Sequence, residues 1–415
     1  MHPSAHHIDE IRARFPSLSV EDDGRQRIYL DNPAGTQVPV QVVERMTDYF
    51  GHASANLGGY FPTSQRSEEV VDEAHAAMAD FLNAASAEEI VFGQNMTTLT
   101  FHVSRSIGRL FSPGDEIIVT RMDHDANIAP WLMLAEDLDL TIRWLDIDTE
   151  TFELDLEKFE ALLSSKTRLL AVGYASNLIG TINDVKRLTT LAKSAGALVY
   201  VDAVQYAPHG LIDVQDIGCD FLVCSPYKFY GPHLGVLWGR AELLNALTAY
   251  KVRAASDVLP EKFETGTLSH ESLAGLLGTM DYLAWYGNDG STSRRQALQA
   301  AYDVMRDYEN DLAWRLIEGL GAIPSVKIQG IADHNRLMRR VPTVSITSEA
   351  RTPREMAEHL AAHNIFVWDG HSYALELVRA LGLADKGGVL RIGIAHYNTV
   401  AEIDRTVKVL DDFLR

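Results

Sequence analysis

Cysteine is nearly absent from this chain. Its 415 residues include two, Cys219 and Cys224, and none follows Cys224. They flank one apolar run, so they point to opposite faces of a strand and are badly placed to bridge. Such a pair reads as reduced core cysteine in a cytoplasmic protein. Basic charge is also scarce. Lys and Arg number 37 against 57 Asp and Glu, giving a net charge of −20. That sign disfavours nucleic acid and anionic membrane surfaces as partners. No stretch approaches the roughly 20 apolar residues of a membrane helix. The start, MHPSAHHIDEIRARF, has no basic segment followed by an apolar core, so no secretory signal is expected. Its histidines, His2, His6 and His7, have no converging Cys or carboxylate partners. They read as a solvated terminus, and no metal site is expected. Repeats and low-complexity linkers are missing too.

What is present is an alternation of apolar runs with helix-period segments. The runs are EEIVFG (88–93), DEIIVT (115–120), TIRWLDID (141–148), TRLLAVGYAS (167–176), ALVYVDAVQ (197–205) and CDFLVCS (219–225). They are near-continuously apolar, which fits a parallel sheet covered by helices on both faces. The class is therefore α/β. From about residue 290 the texture changes. One long helical pattern, RRQALQAAYDVMRDYENDLAWRLIEGL, precedes shorter strand and helix patterns that suggest a smaller α+β domain. The expected division is an N-terminal segment, 1–35, packed on the small domain, a large domain, 36–288, and a small C-terminal domain, 289–415.

Sites in such sheets lie beyond the C-terminal strand ends. The polar residues there are Asn95 to Thr98, His124, Asn177, Asp202, Gln205 and Ser225. Lys228 follows in CSPYKFYGPHLG. Burial would ease loss of its proton and leave an amine able to form a Schiff base. Asp202 ends the run LVYVD, 26 residues earlier. A carboxylate there can keep a pyridine nitrogen protonated, or can simply cap the next segment. Gln205 could bond a ring oxygen. GQNMTTLTF runs from a strand end into a helix whose first N–H groups and Thr hydroxyls suit an anion, or need only an N-cap. His124, in TRMDHDANIAPW, could stack on a flat ring, shuttle protons, or bond Asp123 and Asp125.

Together these blocks resemble the class V aminotransferase group of fold-type I pyridoxal-phosphate (PLP) enzymes. That group holds cysteine desulfurases, selenocysteine lyases and isopenicillin N epimerase-like proteins. The resemblance runs from YLDNPAGTQVP (29–39) to LRIGIAHYNTVAEID (390–404), through MDHDANIAPW, SNLIGTIND, VDAVQYAPH and CSPYKFYGPHLGVLWGR. It implies a large PLP-binding domain with a mainly parallel seven-stranded sheet. Lys228 matches the Schiff-base lysine, Asp202 the residue under the pyridine nitrogen, and His124 the ring-stacking histidine. Asn177 and Gln205 match residues near the ring hydroxyl and substrate. Met96, Thr97 and Ser225 match the phosphate cup. Gly266 and Thr267 match a pair that completes the cup of a neighbouring subunit, implying a homodimer. Arg391 matches the arginine that grips the substrate carboxylate. Ala34 and His371 fall at substrate-binding positions, and Asn32, Tyr60, Phe61, Trp131 and Trp368 are further pocket candidates.

Three departures stand out. Tyr227 replaces the usual His before the lysine, where it could still give phosphate a hydrogen bond. Thr98 replaces a Glu. Tyr373, in WDGHSYALEL, stands where persulfide-forming members carry cysteine. The expected reaction is therefore β-elimination on a cysteine-like or other β-substituted amino acid, with Tyr373 or His371 able to protonate the leaving group or the second face, or with Tyr373 only packing a pocket wall. The alternatives are transamination or epimerisation of an amino-acid-derived metabolite, or a desulfurase-like reaction with an external sulfur acceptor.

Overall fold

The computed structural model describes residues 7–287, 290 and 293–415. His2, His6 and the expected boundary at 288/289 lie outside the described residues. The large domain is built on seven strands: β1 (Ile90–Gly93), β2 (Glu116–Thr120), β3 (Thr141–Leu145), β4 (Thr167–Gly173), β5 (Leu198–Asp202), β6 (Phe221–Cys224) and β7 (Gly235–Gly239). Their order across the sheet is β1-β7-β6-β5-β4-β2-β3. The pairs from β6 to β3 are parallel, while β7 runs antiparallel to both β6 and β1. The strand β7 was hidden inside the GVLWGR block, where flanking glycines break the apolar pattern.

Two cores cover the two sheet faces. Interior strands are buried almost throughout, whereas the edge strand β3 alternates exposed and half-buried positions before its buried last residue. The expected run 141–148 ends early. Ile147–Asp148 leaves the sheet and pairs with Glu153–Leu154. Cys219 and Cys224 are both free and buried. No described helix is long and apolar enough to cross a membrane.

The smaller sheet is antiparallel and contains β8 (Val326–Gln329), β9 (Thr343–Ser348), β10 (Trp368–Gly370) and β11 (Val389–Gly393), ordered β8-β9-β11-β10. One helix, Arg294–Gly321, serves both bodies. Its first half, from Leu298 to Met305, enters the large core, and its second half, from Leu312 to Leu320, enters the small one. The N-terminal segment also reaches both. Ile28 and Leu30 join the small core, and Ile28–Tyr29 pairs with Ile365–Phe366. Ile11, Phe15 and Leu18 instead join the large core, because Phe15 inserts among Tyr230, Tyr282 and Tyr397. The expectation that this segment rests on the small domain covers only its second half.

Two seams fix the bodies together above the strand ends. At one, the buried Arg340 guanidinium donates to the carbonyls of Ile179, Ile331, Val341 and Thr343. Ser345 Oγ donates to the Leu178 carbonyl beside it. At the other, Gly393 N donates to Leu30 O at 2.7 Å, and Asp31 bridges Gly393. A Cβ on Gly393 would lie 2.0 Å from the Pro33 ring. Gly393→Ala should therefore cost about 1–3 kcal/mol through overpacking. Chemical denaturation checks this, and an unchanged midpoint would contradict the tight approach.

Candidate active site

The helix after β1, Met96–Gly108, begins with Asn95 as its cap. Asn95 Oδ1 accepts from Thr98 N at 2.9 Å and from Thr98 Oγ1 at 2.8 Å. The cap is thus Asn95, and Thr98 spends its hydroxyl on it. Thr97 instead lines the cavity at the strand ends. Met96 N donates to Ser225 Oγ at 3.3 Å, which brings that hydroxyl to the head of the same helix. A helix start with hydroxyls beside it is a ready anion cradle.

After β2 come Asp123 and His124. His124 Nδ1 accepts from Ala126 N at 3.0 Å, so its acidic neighbours do not hold it. Burial, with Lys228 and Arg391 nearby, lowers its pKa to about 4 and keeps the ring neutral. Asp123 does not bond His124 as the sequence allowed. Its carboxylate is buried and accepts from Thr120 Oγ1 at 2.6 Å, Asn127 Nδ2 at 2.8 Å and Gly173 N at 3.0 Å. Those bonds fasten the His124 turn to the end of β4.

After β5, Asp202 Oδ1 accepts from Val204 N at 2.9 Å, and a turn rather than a helix follows. Asp202 thus caps a turn, and no helix follows for it to N-cap. Burial raises Asp202 to a pKa of about 6. Gln205 Nε2 reaches across the seam to Thr343 Oγ1 at 3.1 Å. Asn177, beyond β4, donates from Nδ2 to Ser372 O at 2.7 Å, and its own carbonyl accepts from Arg391 Nη1 at 3.2 Å. Its Oδ1 is buried with no partner, as is Arg391 Nε.

Lys228 sits in the 3-10 turn after β6. Its amine donates to the carbonyls of Pro33 and Ala34. Burial and then Arg391 lower its pKa to about 7, against the pull of Asp31 and Asp202. The Tyr227 ring lies 5.0 Å from that amine and stacks on His233 at 4.8 Å.

These ends line one cavity. Met96, Thr97, His124, Asn177, Asp202, Gln205, Tyr227 and Lys228 all line it, together with Asp123. Tyr373 stands at the mouth, stacked on His124 with ring centres 5.4 Å apart. Its carbonyl accepts from Asp125 N at 2.8 Å, and its N–H donates to His371 Nδ1 at 3.0 Å. Ser372 and Tyr373 both hold positive φ, 46° and 59°, a strained pair that these bonds sustain.

Other expected residues fall elsewhere. Trp131 is fully buried in the core against Tyr200, so it is no pocket residue. Asn32 is buried too, tying its side chain to the Gly393 carbonyl and to Asn398. Tyr60, Phe61 and Trp368 are exposed. Gly266 and Thr267 are exposed and line a separate cavity with Glu264 and His270. Within one chain they do not meet Lys228's cavity. Among the described residues no group of three His, Cys, Asp or Glu side chains is placed to hold a metal.

The comparisons agree with this architecture. The aminotransferase class-V family model matches residues 28–406. The chain is 34% identical to the aminotransferase-like protein FGM3 of Gibberella zeae, over 99% of each chain. It is also 34% identical to a cysteine desulfurase of Pectobacterium atrosepticum, over 96% of each. Among solved structures, the apo cysteine desulfurase of Thermococcus onnurineus NA1 matches with a TM-score of 0.88 at 28% identity, covering 99% of both chains. The cysteine desulfurase CsdA of Escherichia coli gives 0.85 at 27%, covering 99% of this chain and 100% of that one. This chain belongs to the class-V aminotransferase family and is a cysteine desulfurase-like, PLP-dependent enzyme.

The cavity fits that cofactor on its own terms. It offers an amine of depressed pKa, a buried carboxylate, a neutral imidazole, a helix start with hydroxyls, and an unpartnered amide oxygen. Because neutral amine is the reactive form, capture of PLP by apoprotein should speed up as pH rises through about 7 and then level off. Stopped-flow absorbance against pH measures this. A rate still climbing towards the ordinary lysine range would contradict the burial argument.

Proposed function

We propose that the enzyme is a PLP-dependent lyase that eliminates the β-substituent of a cysteine-like or other β-substituted amino acid. The observation that carries this reading is the Tyr373–His124 stack at the cavity mouth, in a chain whose only thiols are buried. Burial raises both Cys219 and Cys224 well above the ordinary thiol range, so neither offers a thiolate to accept sulfur. In this reading the substrate's sulfur or other substituent leaves as a small molecule.

PLP, when bound, supplies an aldehyde for Lys228 and an electron-withdrawing ring. Asp202 would keep the ring nitrogen protonated, and His124 would cover one ring face. Met96 N, Thr97 and Ser225 would hold the phosphate, with Tyr227 near the lysine. Asn177 and Gln205 would fix the ring hydroxyl side. Arg391 would grip the α-carboxylate, with Ala34 and His371 beside the substrate. Lys228 would take the Cα proton, and the Tyr373 hydroxyl would give a proton to the leaving group. Gly266 and Thr267 would complete the phosphate cup of a second subunit, which their exposure away from their own cavity supports. Transamination is the second reading, favoured by the aminotransferase-like relative.

Lys228→Ala should abolish the yellow colour of the PLP-loaded protein and nearly all turnover. Full retained activity would sink the assignment. Pyruvate formed from a β-substituted alanine without any keto-acid acceptor supports the lyase. Product that appears only with an acceptor supports transamination. Tyr373→Phe should slow elimination about 10²-fold if the phenol acts as general acid. Steady-state rates decide, and an unchanged rate would make Tyr373 a packing residue.

A further inference from the structure

One four-residue segment, Asp31 to Ala34, faces both cations of the site. Asp31 Oδ1 accepts from Arg391 Nη2 at 3.1 Å, with Arg391 4% exposed and the aspartate side chain 13% exposed. Pro33 and Ala34 present their carbonyls to Lys228. The segment cannot drift. Asn32 is bonded to the Gly393 carbonyl, Tyr29 Oη to the Gly35 carbonyl, and Thr36 Oγ1 accepts from Tyr230 N. Arg391 is therefore held at two points, by Asp31 on Nη2 and by the Asn177 carbonyl on Nη1. A planar guanidinium fixed twice has one defined orientation. Its Nε–H is buried and has no partner.

We propose that Asp31 is a positioning residue for substrate recognition: it sets the guanidinium plane of Arg391 so that the Nε edge meets the substrate's α-carboxylate. It also supplies a negative charge that both Arg391 and Lys228 feel. Burial pushes Asp31 up, while Arg391 and then Lys228 hold it down, as expected of a carboxylate serving both. The inference rests on the proposed action on amino acids and adds a residue to it.

L-Alanine is the probe, because it has the α-carboxylate but no leaving group, and L-alaninamide is its control. Each is titrated into PLP-loaded enzyme by visible spectroscopy. Asp31→Ala should weaken L-alanine about tenfold, the worth of a charge-assisted hydrogen bond, and leave L-alaninamide within about twofold. Asp31→Asn keeps the shape and an acceptor oxygen and should lose less, which guards against a folding defect. In an Arg391→Ala background, Asp31→Ala should change L-alanine binding by less than about twofold. Equal weakening of both probes, the same loss without Arg391, or tighter L-alanine binding would each overturn the proposal. A PLP-loaded wild type that responds to no α-amino acid would instead fell the proposed function, and this inference with it.

Discussion

Two cations, Lys228 and Arg391, are buried close enough for the charge of one to bear on the other, and the rest of the site is arranged around that constraint. Like charges in a low-dielectric space raise each other's cost. Here the cost is met in two ways. Lys228 is driven towards its neutral form, which is the form its proposed Schiff-base role needs. Arg391 cannot shed its proton at neutral pH, so it is given a carboxylate, Asp31, and a carbonyl, Asn177 O. His124, facing the same field, is held neutral. Asp202 is buried and raised, which suits a carboxylate awaiting a cationic partner.

The same constraint explains why the site lies between two bodies. Lys228, Asp202 and His124 come from strand ends of the large sheet, while Arg391 comes from β11 of the small one. Their relative placement is only as good as the seams. Arg340 fastens the loop carrying Asn177 to the start of β9, and Gln205 bonds Thr343 at the same point. The 29–36 segment joins β11 to the Lys228 turn. The Tyr373 loop closes the third side, tied to the large domain through Asn177, Asp125 and an Arg121–Glu376 ion pair.

Much of this could be read from sequence, for a physical reason. Strand-end residues follow apolar runs at short range, so Lys228, Asp202, His124 and Thr97 are marked by local pattern. Long-range partners are not. Asp31 and Arg391 are separated by 360 positions, and nothing near Asp31 signals the pair. Asp123 looked like a neighbour of His124, yet its role comes from Thr120, Asn127 and Gly173. Trp131 follows the His124 turn closely enough to suggest a pocket wall, but it lies on the helix face turned into the core. The family's cysteine position was legible only as an absence, and the stack that Tyr373 makes instead is a contact with the distant His124.

Every role proposed at the site depends on Lys228 carrying the cofactor. Borohydride reduction of the PLP-loaded protein, then proteolysis and mass spectrometry, reads this directly. If Lys228 holds the cofactor, the pyridoxyl adduct falls on the peptide containing Lys228 and on no other lysine. An adduct on a different lysine, or none, would contradict it.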